Sequence, residues 1–288
     1  MKIRIVRQIR DDAALRRSFL RLAQGVFGLS FEEWYQNGYW TDRYVPYAAV
    51  DGDRVAANAS VNVMDFVRQG KPCRLVQIGT VMTDPAYRGR GLAGALIRRI
   101  LSDWADVCDG VYLFANSTAL DFYPRFGFAR VEEFQHSAPL VPAEGDFRRL
   151  DLHREEERAL LFRCYERSNP FSALAFTGNK GLLMFYCGGF LSNSVYYSPR
   201  HDVVCVMETQ GSELLCYDLF GGQGCSWRAL LNAAAPAGVT RAVLGFTPLD
   251  AQGLELRRAE GDDALFALKG KGPLFPKEAM MFPLLSHA

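Results

Sequence analysis

One run, Val76 to Ala93, constrains the fold more than any other part of the chain. Its first residues, Val76-Gln77-Ile78-Gly79-Thr80-Val81-Met82, are apolar and β-branched and predict a strand. Thr83-Asp84-Pro85 ends it, and Gly89 and Gly91 allow a tight turn. Leu92, Leu96, Ile100 and Trp104 then recur every four residues, with Ala93, Ile97 and Leu101 beside them. That spacing predicts a helix over 92–104 with one broad apolar face. A strand passing through a glycine turn into a helix leaves backbone N–H groups unpaired, with the positive end of the helix dipole behind them. Arg88 and Arg90 add positive charge. The assembly suits a pyrophosphate.

Gly89-Arg90-Gly91-Leu92-Ala93-Gly94 also fits the GxGxxG pattern of dinucleotide-binding folds. Its context does not. A dinucleotide turn follows its strand directly and needs an acidic residue at the end of the next strand. Here the next strand ends at Asn116.

Around this run the first half alternates strand and helix signals. Lys2–Gln8 reads as a strand, and Asp11 or Asp12 can cap a helix carrying Leu15, Phe19, Leu20 and Leu22. Ser30 and Glu33 predict a capping box opening a short helix to Asn37. Tyr44–Val50, Arg54–Met64 and Arg74–Met82 form a meander, turning at Asp51-Gly52-Asp53 and Gln69-Gly70-Lys71-Pro72. Val111–Ala115 is a short buried strand, Ser117–Phe126 a helix closed by Gly127, and Ala129–His136 a strand. Ser137 to Glu144 has two prolines and no periodicity, and the boundary between domains 1–140 and 145–288 is placed there. The second half repeats the order more faintly. Glu213–Phe220 is a strand, Gly221-Gly222-Gln223-Gly224 a turn, Cys225–Ala235 a helix and Thr240–Phe246 a strand.

Charge excludes several function classes. With 33 basic and 32 acidic residues the net charge is +1, so no global field exists to hold nucleic acid or an anionic membrane. Gly181–Pro199 carries no formal charge and is about as long as a membrane span. Its glycines, serines, asparagine and tyrosines fit strands and turns better. Seven cysteines without a CxxC pair point to buried free thiols in a reducing cytoplasm rather than to disulfides or zinc. His136, His153 and His201 have no partner at metal-ligand spacing and are read as solvent-facing.

Arg88-x-x-Gly91-x-Ala93, preceded by Asp84-Pro85-x-Tyr87, resembles the acyl-CoA motif of the GCN5-related N-acetyltransferases (GNAT). Asn116, followed by Phe122-Tyr123-Pro124-Arg125-Phe126-Gly127-Phe128, resembles that family's second motif. The resemblance implies an α/β fold: a splayed mixed sheet flanked by helices, with CoA between the fourth and fifth strands. It implies acetyl-CoA as co-substrate, held by Val81, Met82, Thr83, Arg88, Gly89, Arg90, Gly91, Leu92, Ala93 and Asn116, and no metal. The whole chain also resembles bacterial tandem acetyltransferases related to the enhanced-intracellular-survival proteins. There a catalytic domain is followed by a degenerate GNAT-like copy. Gly221–Gly224 lacks an arginine at the Arg88 position, so the second copy is not expected to bind CoA. The implied function is transfer of an acetyl group to a primary amine of a small molecule, an aminoglycoside-like polyamine or a protein. The alternative is a CoA-binding sensor or scaffold without turnover.

Acyl transfer from a thioester to an amine needs a neutral amine, a polarised carbonyl and a protonated leaving thiolate. By resemblance Tyr123 is the acid, a phenol whose pKa lies within roughly 1.5 units of a thiol's. Backbone N–H groups of Val81 to Thr83 are expected to form the oxyanion site. Some family members carry a glutamate eleven residues before the first motif arginine, where this chain has Gln77. A base must come from elsewhere. In the tandem group it is the C-terminal carboxylate. Here Met281-Phe282-Pro283-Leu284-Leu285-Ser286-His287-Ala288 is apolar enough to dock and to bring either the Ala288 carboxylate or the His287 imidazole to the site. Eight aromatics lie between Phe27 and Tyr47, with Glu32, Glu33 and Asp42 interspersed. Of these, Trp34, Tyr35 and Trp40 are assigned to the acceptor site, where rings beside carboxylates would hold an ammonium.

Overall fold

The computed structural model describes residues 3–259, 261, 263–272, 274–275 and 279–288. Lys2, read as the start of the first strand, lies outside them. The first elements are β1 (Arg4–Arg7), α1 (Ala13–Phe27), α2 (Glu32–Gln36), β2 (Tyr44–Asp51), β3 (Arg54–Arg68) and β4 (Lys71–Thr83). They are followed by α3 (Leu92–Trp104), β5 (Gly110–Asn116), β6 (Phe128–Arg130), β7 (Phe134–Pro139) and β8 (Arg148–Arg149). Next come α4 (Glu155–Glu166), β9 (Leu174–Thr177), α5 (Lys180–Phe185), β10 (Val195–Ser198) and β11 (Val203–Gln210). The last are β12 (Glu213–Gly221), α6 (Trp227–Ala234), β13 (Arg241–Leu244), β14 (Glu255–Arg258) and β15 (Asp263–Leu268).

Local chemistry explains the helices that flank the site. The Asp12 carboxylate accepts from the Ala14 and Leu15 N–H groups, both at 3.0 Å, and starts α1. Gly28, at φ +69°, ends it. α1 buries Leu15, Phe19 and Ala23 on one face. α3 has the bounds that its apolar period predicts, and its Leu96, Ile97 and Ile100 pack on Val76, Ile78, Val111 and Leu113. α2 differs from expectation. Its cap is Phe31 without a side-chain bond, so Ser30 forms no capping box.

Two mixed sheets form the body. The first runs β1-β2-β3-β4-β5-β15-β6, with β9 pairing on β3, and the second runs β14-β7-β13-β12-β11-β10-β8. Each contains one parallel pair, β4 with β5 and β12 with β13. In each, a glycine turn and a helix connect the parallel strands. The repeated order strand, glycine turn, helix, strand therefore holds in three dimensions, once in each sheet.

The sheets do not divide where the sequence weakens. β7 belongs to the second sheet, while β9 and β15 return to the first. Between the sheets one core is shared: Phe66 and Tyr112 from the first half meet Tyr165, Phe220 and Phe282 from the second. Phe282 stacks on Tyr112 with centroids 4.1 Å apart. Other expectations are corrected by the same packing. His136 is buried, because β7 is flanked by β13 and β14 on its two edges. Residues 117–126 form two short 3-10 turns instead of an α-helix, and Pro124 lacks the N–H an α-helix would need there. The uncharged run at 181–199 begins helical, through α5 and a following π-turn, where strands and turns were expected, and ends in the expected strand, β10; its apolar residues enter the shared core. No helix among the described residues is long and apolar enough to cross a membrane. All seven cysteines are free.

Candidate active site

The site begins where two parallel strands part. β4 and β5 pair from Leu75 with Gly110 to Ile78 with Leu113, and no further. Beyond that point β4 stays with β3, placing Met82 opposite Asn58 and Thr83 opposite Ala57. β5 stays with β15, placing Asn116 opposite Asp263. The facing edges are left open, and a cleft of about 830 Å³ occupies the gap. Thr80 bulges out of β4 at this point, with φ +50°. A β-branched residue is strained there and must be held. The Asn58 amide donates to its carbonyl at 2.9 Å, and the Tyr44 hydroxyl donates to its Oγ1 at 3.0 Å.

Only some of the expected CoA residues face the cleft. Val81, Thr83, Arg88, Ala93 and Asn116 line it. Met82 does not: its side chain packs with Phe19 and Trp40 on the other face of the sheet. Arg90 is turned back over the Tyr87 ring, 5.1 Å from its centroid. Gly89 and Gly91, at φ +75° and +71°, shape the turn that brings the start of α3 to the cleft without lining it themselves. Leu92 packs against the core under α3. A side chain at Gly91 meets no protein atom within 4 Å, so the glycine is required by backbone conformation and not by crowding within the chain. Gly91→Val is therefore expected to strain the turn by roughly 1–2 kcal/mol and to weaken CoA binding, read by calorimetry. Normal binding by the variant would remove the phosphate-loop assignment.

Tyr123 lines the cleft near Asp263, its ring packed against Phe122, Phe128 and Phe266. Burial, with a smaller effect of the Asp263 charge, pushes its hydroxyl up to about 12. The phenol stays protonated at neutral pH. The gap to a thiol is wider than the sequence suggests, roughly 3.5 units on ordinary thiol values.

The tail enters the cleft from the second sheet. The β12–β13 ladder ends at Cys216 with Leu244, and Leu284 fills that opening, its N–H donating to the Gly245 carbonyl at 2.8 Å. Met281, Phe282 and Leu285 are buried and anchor the segment. His287 stacks on Phe114 at 4.1 Å, and the Tyr186 hydroxyl donates to its carbonyl at 2.6 Å. Ala288 then lies beside β4, where the Gln77 amide donates to its oxygen at 2.7 Å. Gly79 makes room for it: a Cβ there would fall 2.5 Å from that oxygen. Burial lowers the His287 imidazole to about 4, partly offset by its hydrogen bond to the Phe282 backbone. Gln77 Oε1, Asn62 Nδ2 and His287 Nε2 are buried without a partner, and all three residues line the cleft.

Of the three assigned acceptor residues, Trp34 alone lines the cleft. Its Nε1 donates to the Gly181 carbonyl of the second half at 2.7 Å. Tyr35 lies under the Arg16 guanidinium, 4.0 Å away. Trp40 is core, packed on Phe19 and Tyr44. Sequence reasoning missed Asn62, Phe114, Phe185 and Tyr186, which also form the wall. Phe185 and Tyr186 sit in the uncharged run at 181–199, whose apolarity was the available signal. Among the described residues no group of three or more His, Cys, Asp or Glu side chains could hold a metal ion.

Residues 6–131 match the family model of the acetyltransferase (GNAT) domain. No curated protein matches the chain. Among solved structures, the chain is similar to a probable N-acyltransferase of unknown function from Enterococcus faecalis V583 (14% identity, TM-score 0.62, covering 93% of this chain and 72% of that one). It is also similar to a GCN5-related N-acetyltransferase from Kribbella flavida (19%, 0.55, 92% and 71%). A third is Eis1 from Mycobacterium abscessus (19%, 0.54, 92% and 72%). These three likenesses run through both sheets and establish a shared fold. With the split parallel strands and the glycine turn in place, residues 6–131 have the features that the acetyltransferase (GNAT) domain model describes.

Proposed function

We propose that the chain transfers an acetyl group from acetyl-CoA to a primary amine, with Ala288 supplying the base and Tyr123 the leaving-group donor. The observation that carries this reading is one continuous cleft that has the Arg88 turn at one end, an aromatic wall at the other, and Tyr123 and Ala288 both on its surface. At the first end, the free N–H groups opening α3 and the Arg88 guanidinium suit the pyrophosphate. Between them, the open edge of β4 from Gly79 to Thr83 offers backbone N–H groups to the thioester oxygen, whose charge grows as the amine adds.

The amine arrives as an ammonium and must lose a proton before its lone pair can attack. A carboxylate at Ala288, held by the Gln77 amide, is placed to take it. The His287 imidazole is the weaker candidate, because burial at about 4 leaves it little affinity for a proton. Attack forms the C–N bond and the C–S bond then breaks. Tyr123 donates its hydrogen bond, and finally its proton, to the departing sulfur. Since burial makes that transfer uphill, donation to sulfur while charge develops is the larger part of its role.

Three measurements test the reading. Thermal shift is expected with acetyl-CoA and CoA and not with NAD or NADP; stabilisation by the nicotinamide cofactors alone would favour the dinucleotide pattern. Thiol release from acetyl-CoA in the presence of amines is expected, and tight acetyl-CoA binding without release would leave a sensor or scaffold. Titration is expected to give one CoA per chain. In the second sheet the tail already fills the parted strands, and Gly222 packs against Val203 and Leu230 where an open phosphate turn would stand. Two sites would overturn that expectation. Free, mostly buried cysteines support a reducing cytoplasmic setting.

A further inference from the structure

We infer that the acceptor is a single primary amine carried on an apolar body the size of an aromatic ring, and not a polycation. This rests on the acetyltransferase reading above and concerns the end of the cleft away from Arg88. Its wall is a contiguous set of rings from both halves. Phe31 stacks on Phe185 at 5.5 Å, and Trp34 meets Tyr44 at 5.5 Å and Phe185 at 6.0 Å. Leu29 and Leu182 extend it.

Charge at this end is sparse. The one basic side chain there, Arg43, is engaged by Asp65 at 2.5 Å. Among the described lining residues the only acidic side chain is Asp263, at the other end beside Asn116. Glu32, Glu33 and Asp42, adjacent in sequence to the aromatic wall, are absent from the lining, and Asp42 pairs with Arg10 at 3.0 Å. Among the buried lining groups without a partner, Asn62 Nδ2, Gln77 Oε1 and His287 Nε2, the amide oxygen of Gln77 is an acceptor beside the chain end. The other end of the same amide holds the Ala288 oxygen. Those two acceptors suffice for one ammonium.

Magnitudes decide against a second one. Each further ammonium drawn into the cleft loses hydration worth several kcal/mol. A ring face returns about 2 kcal/mol or somewhat more when desolvated, which does not cover that loss without a carboxylate at the same place. An aryl or alkyl body, by contrast, gains about 25 cal/mol for each Å² it buries on the same rings.

The experiment compares initial rates of thiol release at saturating acetyl-CoA with 2-phenylethylamine and tryptamine against spermidine and kanamycin. The arylalkylamines are expected to show kcat/KM at least 100-fold higher. Phe185→Ala is expected to raise KM for 2-phenylethylamine about tenfold while KM for acetyl-CoA holds, which also shows that the variant is folded; Phe185→Leu should recover most of the loss. Faster release with the polycations, or indifference of the arylalkylamine KM to both Phe185 variants, overturns the inference and leaves the acetyltransferase reading standing. Acetyl-CoA binding with no release by either class overturns that reading, and this inference with it.

Discussion

Removing Ser286 to Ala288 is expected to lower turnover on the order of 10²- to 10⁴-fold, the range of general acid–base catalysis. The segment delivers an oxygen to the Gln77 amide and an imidazole to the Phe114 ring, so deletion alone does not say which group acts. Three variants separate them. Two glycines added after Ala288 move the carboxylate and leave His287 in place. Gly79→Ala keeps the strand but puts a methyl 2.5 Å from the Ala288 oxygen, so the terminus must shift. Both are expected to approach the deletion in severity. His287→Phe retains the stack on Phe114 without the imidazole and is expected to keep most of the rate. The pH profile gives an independent reading. Loss of rate at low pH reports protonation of the base, and an imidazole base would place that limb near 4. A limb that survives in His287→Phe assigns it to the carboxylate. Full rate and unchanged pH dependence in all of these would make the tail structural and leave a water chain as base.

Tyr123→Phe is expected to lower kcat by about a hundredfold, the lower end of the same range, with KM for acetyl-CoA little changed. The lower end follows from burial. With the hydroxyl pushed up to about 12, the group serves chiefly as a hydrogen-bond donor to sulfur. The ring keeps its contacts with Phe122, Phe128 and Phe266, so folding is not at stake. The measurement needs conditions in which chemistry limits turnover. An unchanged rate constant there removes Tyr123 from the mechanism.

Where the fold was legible, the signal was local. α3 declares itself through apolar residues one turn apart, and the glycine turn before it through φ values that only glycine adopts freely. The tail declares its apolarity but not its destination, since nothing near Phe282 in the sequence points to Tyr112. Trp34, Tyr35 and Trp40 look alike in the sequence. One lines the cleft because its indole reaches Gly181, which lies 147 positions away. Ser30 looks like a cap and is not one, because the chain enters α2 through Phe31, held in the aromatic core. Of the unread part of the site, Asn62 and Phe114 are brought to the cleft by pairing between distant strands, which leaves no local trace, whereas Phe185 and Tyr186 come from the helical start of the uncharged run, whose apolarity does not say where it packs.

The return of β15 to the first sheet sets the order in which the molecule can be completed. β5 needs Asp263 to Ala267 along one edge, and β6 needs Phe266 to Leu268. A nascent chain that has emerged only as far as residue 140 presents β5 with an unpaired edge, the kind of surface on which other strands add. Synthesis proceeds at about 5–20 residues per second, so that edge stays open for several seconds at the least. The same holds for a fragment: residues 1–140 lack β9, β15 and the tail, and with them one wall of the cleft. On the mechanism proposed above, the cleft gains its last wall only when the residues around 288 have been made.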